Sequence, residues 1–123
     1  MITSEFNKES GILEVHYSGN ISASDLIEFG NTVYADQYLP RKLLILTDVK
    51  KANYLFRVED FEEIINNLEK HLSVFDYIKV ALVQSKPKET AFSMLLSEKN
   101  PLNNYIRKVF STRDAAISWL LSP

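Results

Sequence analysis

Asp48 is the residue of this chain best placed to do chemistry: it closes the apolar stretch Leu43 to Thr47, and Lys50 and Lys51 follow it. A carboxylate flanked by ammonium groups can grip an anion or a partner's loop, and in an enclosed cleft the pair can move a proton. A second apolar run, Val80 to Val83, stops as sharply at Gln84, Ser85 and Lys86. If the two runs are adjacent parallel strands, their polar ends share the edge of the sheet at which ligands of open α/β folds collect. The expected interaction surface is therefore Asp48, Lys50, Lys51, Asn53, Tyr54 and Ser85. The competing reading is structural, since Asp routinely accepts from backbone amides at turns and loop lysines are simply solvated.

No other grouping competes. His16 and His71 are the only histidines, and their spacing marks neither a metal site nor an acid/base pair. Cysteine is absent, which removes thiol nucleophiles, disulfides and cysteine-based zinc sites together. Three scattered glycines build neither a phosphate loop nor a dinucleotide fingerprint, and no Gly-x-Ser-x-Gly elbow occurs. The expectation is a protein that is not an enzyme and uses no cofactor. Fourteen basic against sixteen acidic residues give a net charge of −2, so no global field draws the chain to nucleic acid. No apolar run approaches the roughly 20 residues needed to span a bilayer, and no signal pattern opens the chain, which points to the cytoplasm.

The elements that must carry these residues follow from periodicity. At 123 residues, 46% hydrophobic and 24% charged, the chain reads as one domain over 1–123 with a single core. Ile2 to Phe6 and Ile12 to Tyr17 read as an antiparallel hairpin, with Ser18-Gly-Asn20 breaking the second strand. Ser22 and Asp25 form a capping box for a helix burying Leu26, Phe29 and Val33 and ending before Pro40. After the strand Leu43 to Thr47, the apolar positions Val58, Phe61, Ile65, Leu68 and Leu72 recur at helical spacing, and an acidic outer face carries Glu59, Glu62 and Glu63. The strand Ile78 to Val83 follows, then a helix from Pro87 through Ala91, Phe92, Leu95 and Leu96, with Pro101 at or beyond its end. Ile106, Lys108 and Phe110 alternate on a last strand, and Ser111 with Asp114 repeats the capping pattern before Ala116, Trp119 and Leu120. The order predicts an α/β fold: a mixed, mostly parallel sheet with an N-terminal antiparallel hairpin and about four helices.

Gly11-Ile-Leu-Glu-Val, Tyr17-Ser-Gly19, Leu43-Leu-Ile-Leu-Thr-Asp48 and the closing Lys108-Val-Phe-Ser-Thr-Arg-Asp-Ala-Ala-Ile-Ser-Trp-Leu120 together resemble the STAS-like families, named for sulfate transporters and anti-sigma-factor antagonists. The closing strand and helix look particularly like the bacterial branch near the lipid-binding CRAL-TRIO fold. The resemblance implies a regulatory or protein-interaction module that acts through a protein partner or self-association. In the anti-sigma-factor antagonists the Asp is followed by a phosphorylatable Ser or Thr and then Gly-Leu, whereas Asp48 is followed by Val49-Lys50-Lys51. A phosphoryl group would add roughly −1.5 to −2 of charge at a docking surface, and this chain has no hydroxyl at that position. The alternative implied by the CRAL-TRIO likeness is a carrier or sensor of a small apolar or lipid-like ligand, walled by Tyr34, Tyr38, Tyr54, Phe56, Phe75 and Tyr77.

Overall fold

The computed structural model describes residues 1–98 and 103–123, so Pro101 lies outside the described residues. The N-terminal hairpin pairs β1 (Ile2–Asn7) antiparallel with β2 (Ile12–Ile21). Its turn is built by Asn7, whose Oδ1 accepts from the amides of Glu9 and Ser10, and by Gly11, whose φ of 74° suits a residue without a Cβ. Helix α1 (Ala23–Val33) opens with the expected capping box: Ser22 Oγ accepts from Asp25 N–H, and Asp25 returns the bond to Ser22 N–H.

Strand β3 (Lys42–Tyr54), a 3-10 turn at Val58–Asp60, helix α2 (Phe61–Leu72), strand β4 (Tyr77–Val83), helix α3 (Pro87–Glu98), strand β5 (Tyr105–Phe110) and helix α4 (Arg113–Leu121) complete the described order. The strands form one sheet in the order β1-β2-β3-β4-β5, with every pair after the first parallel. The two apolar runs are thus co-directional neighbours, with Ile45 opposite Val80 and Asp48 opposite Val83.

Because the parallel strands advance in one direction, right-handed crossovers place α1, α2 and α3 on a single face. Leu13, Val15, Leu43, Ile45, Ile78, Val80 and Leu82 point into that layer, against Phe29, Val33, Leu68 and Leu72. Helix α4 covers the opposite face, where Ala116 and Leu120 meet Ile12, Leu46, Ala81 and Val83. Lys79 reaches from that face to the carbonyls of Trp119 and Ser122, so a cation meets the negative end of α4.

Four expectations need correction. Strand β3 does not stop at Thr47 but runs six residues past Asp48, because β2 also continues through Ser18-Gly-Asn20 to Ile21 and pairs with it. The cap of α4 is Thr112, not Ser111, since Thr112 Oγ1 accepts from Ala115 N–H. Val58 lies in the turn before α2 and is 43% exposed, outside the core stripe. Leu95 is likewise exposed on α3, which instead turns Glu89 and Ser93 inward.

Leu43 and Ile78, paired neighbours with no exposed surface, hold the centre of the sheet. Truncating Ile78 to alanine is expected to destabilise the fold by about 2–5 kcal/mol, the range for buried aliphatic deletions, read from the midpoint of urea unfolding.

Candidate functional site

The C-terminal end of β3 is the first place to look. Strand β4 ends at Val83, so beyond Asp48 the β4-facing edge of β3 has no neighbouring strand among the described residues. Its carbonyls are met by side chains instead: Gln84 Nε2 donates to Val49 O at 2.8 Å, Lys86 Nζ to Ala52 O at 3.0 Å, and Lys88 Nζ to Tyr54 O at 3.4 Å. Buried backbone acceptors must be paired, and these three residues act as a surrogate strand. Gln84 is itself buried, and its Oε1 accepts from the amides of Ser85 and Lys86.

A bulge separates the two parts of β3. His16 pairs with Asp48 but Ser18 with Lys51, so Val49 and Lys50 together oppose Tyr17. The extra residue re-aims the chain, leaving Lys50 and Lys51 both exposed while Val49, Ala52 and Tyr54 turn inward. Asp48 Oδ1 accepts from Lys50 N–H at 3.1 Å, and its Oδ2 lies 3.8 Å from Lys50 Nζ. That pair is open to solvent, with side chains 29% and 46% exposed.

Of the expected rim residues, Asp48, Lys50, Lys51, Asn53 and Ser85 are gathered at this end of the sheet, with Lys86 Nζ also 3.2 Å from Asn53 Oδ1. Tyr54 is not part of that surface. It is 4% exposed, its hydroxyl lies 3.2 Å from Ser93 Oγ, and its ring stacks on Phe56 at 4.6 Å between centroids. Thr47 is also buried, which removes it as an accessible hydroxyl beside Asp48.

Tyr54 opens onto a different feature: a partly enclosed cavity of about 100 Å³ between the sheet and helices α1, α2 and α3. Leu26, Phe29, Ile45, Ile64, Ile65, Leu68, Val80, Leu82, Phe92 and Leu96 make its apolar walls. Ile27 and Asn67 line both the cavity and a shallow outer groove, which sets its outer end at the seam between α1 and α2. Asn67 Nδ2 bridges that seam to Ile27 O at 3.5 Å.

Polar groups share the lining. Tyr17, Tyr34, Tyr54 and Tyr105 line the cavity together with Arg107 of β5. Tyr34 and Tyr105 hydrogen-bond to each other. Burial is the first cause holding all four phenols above their ordinary pKa, and the Arg107 charge pulls each of them back down. Arg107 Nε is buried with no hydrogen-bond partner among the described residues. Neither ion pair among those residues, Lys50 with Asp48 or Arg113 with Glu14, involves it.

Sequence reasoning found part of this wall. Tyr34, Tyr54 and Phe56 line the cavity as the aromatic set suggests, whereas Tyr38 is 87% exposed, Tyr77 is exposed and Phe75 packs in the core beside Leu72. It missed Tyr17, Tyr105 and Arg107. The period-two pattern of the last strand held the missing signal: if Ile106, Lys108 and Phe110 share one face, Tyr105, Arg107 and Val109 share the other, under the helices. The histidines stand apart from the cavity lining, His16 exposed and His71 Nε2 2.9 Å from Asn31 Oδ1 across the α1–α2 seam.

The four phenols generate a pH dependence. In the unfolded chain they ionise near 10.0, while the folded chain keeps their protons to higher pH. Their contribution to stability is complete below pH 10 and is lost as pH rises past it. Urea midpoints should therefore fall between pH 9 and 11, roughly where the phenols of the unfolded chain ionise, and fall less steeply when Tyr17 and Tyr34 are replaced by Phe.

Comparison with known proteins bears on the whole arrangement. No protein of curated function matches the chain. Among solved structures it is similar to an uncharacterised protein of the DUF3478 family with a SpoIIAA-like fold from Shewanella loihica PV-4, with a TM-score of 0.64 at 15% identity, over 98% of this chain and 92% of that one. That likeness concerns the fold alone. A family model described as SpoIIAA-like matches residues 12–121, from the second hairpin strand to the last residue of α4, and the chain belongs to the SpoIIAA-like family.

Proposed function

We propose that this SpoIIAA-like chain is a non-catalytic binding module, a carrier or sensor whose site is the cavity between the sheet and its three covering helices. The observation that carries this reading is the cavity itself: interiors are packed to near-crystalline density, and about 100 Å³ left open among apolar side chains is an exception. Its lining has the character of a ligand site, mostly apolar with a few polar groups, on the scale of a small molecule. The non-catalytic part is supported by Asp48 and Lys50, a carboxylate and ammonium pairing at the rim that faces solvent and lies outside the cavity lining.

Native mass spectrometry of the protein purified from its host is expected to show a bound small molecule. Benzene, as a surrogate, should raise the melting temperature of the wild type and leave that of Ile65→Trp unchanged, because the larger side chain fills the space. An empty protein that gains nothing from benzene would defeat the reading.

A second reading has its own observation. The overhang of β3 presents Lys50, Lys51 and Asn53 beside Ser85, all exposed, at the position where the family resemblance implies contact with a protein partner or a second copy. Charge reversal at Lys50 and Lys51 together with Asn53→Ala is expected to weaken such an association, measured by co-purification and sedimentation. Associations left unaltered would remove the rim as a contact surface.

A further inference from the structure

We propose that the cavity takes a small organic carboxylate, held by Arg107 with its short apolar body against the helices; this rests on the binding reading above and adds the chemistry of the ligand's head. The starting point is an unpaid electrostatic debt. A guanidinium is charged at every accessible pH and carries five N–H donors, and a donor shut away from water costs free energy unless it is paired. Arg107 is half-buried at the layer between sheet and helices, yet its Nε is buried without a partner and no carboxylate among the described residues pairs with it. Glu89, buried on α3 and electrostatically felt by Tyr54, makes no ion pair with it either.

The surroundings fix the chemical class. A planar fork of donors matches a carboxylate bidentately. Tyr17, Tyr34, Tyr54 and Tyr105 line the same cavity, and the Arg107 charge is felt by all four phenols. Among the described residues Arg107 is the one basic residue lining the cavity, which suits a single negative charge better than a phosphate dianion. The remaining wall is aliphatic and aromatic, so the ligand has an apolar body. A volume of about 100 Å³, of the same order as the roughly 150 Å³ of a cavity that takes up benzene, limits that body to roughly three to five carbons.

The test uses a matched pair, pentanoate and pentanol, which differ in the head alone. Calorimetry on the wild-type protein is expected to give pentanoate the tighter binding by roughly tenfold or more, the worth of a charge-assisted hydrogen bond. The Nε–H resonance of Arg107 should shift with pentanoate and hold still with pentanol. Arg107→Met should abolish the preference while leaving pentanol binding in place. Equal binding, or a preference for pentanol, overturns the carboxylate and leaves the apolar-ligand reading standing. Failure of both probes to bind, together with no stabilisation by benzene, overturns both. If Arg107→Met does not fold, the wild-type preference and the Nε–H shift decide alone.

Discussion

The structure depends on how the free edge of β3 is satisfied. Parallel neighbours normally share an end, but β2 and β3 continue together beyond the last residue of β4. Left bare, the β4-facing carbonyls of that extension would lack donors at buried and half-buried positions, which disfavours the strand beyond Asp48. Gln84, Lys86 and Lys88 prevent this by donating to Val49, Ala52 and Tyr54 in turn. The polar residues that follow the second apolar run are therefore backbone partners first. Their reach keeps Tyr54 and Phe56 over the layer between sheet and helices, where they stack and meet Phe61 and Phe92.

The bulge opposite Tyr17 completes the arrangement. One extra residue in β3 changes which side chains point inward, so the register that buries Thr47 on one side of the bulge buries Ala52 and Tyr54 on the other. Tyr17 enters the cavity wall at the same level, edge-on to Phe29 with ring centroids 6.5 Å apart. The rim and the cavity are thus two faces of one short strand: Asn53 faces solvent and Tyr54, the next residue, faces the interior.

Much of the fold was legible in the sequence. The two apolar runs are uniform because helices cover both faces of their strands, and a run of that kind needs no partner to be recognised. Capping at Ser22 and the helical stripe from Phe61 to Leu72 are local patterns and were readable for the same reason. The extension of β3 was not, since Lys50-Lys51-Ala52-Asn53 has no apolar alternation until the bulge is known, and a bulge is a property of two strands. The cap at Thr112 differs from the neighbouring Ser111 by one residue, a choice made by where the preceding strand releases the chain. Arg107 was masked by its own chemistry: between Ile106 and Lys108 it reads as one more charge on an edge strand, and although alternation sets it opposite those two, which face is covered follows from α3 lying over β5.

The interior carries two separate deficits that no single ordinary occupant relieves. About 100 Å³ of open space among apolar side chains forfeits roughly 2 kcal/mol of contacts, at the cost per volume seen when cores are truncated. The unpartnered guanidinium nitrogen is a second loss, of desolvation without compensation. Water entering the cavity hydrates Arg107 but leaves the apolar walls wetted. A purely apolar molecule restores the contacts and leaves the charge alone, or desolvates it further. Only a molecule with an anionic end and an apolar remainder addresses both at once, which is why the position of one arginine on an edge strand bears more directly on function than the polar rim that first draws the eye.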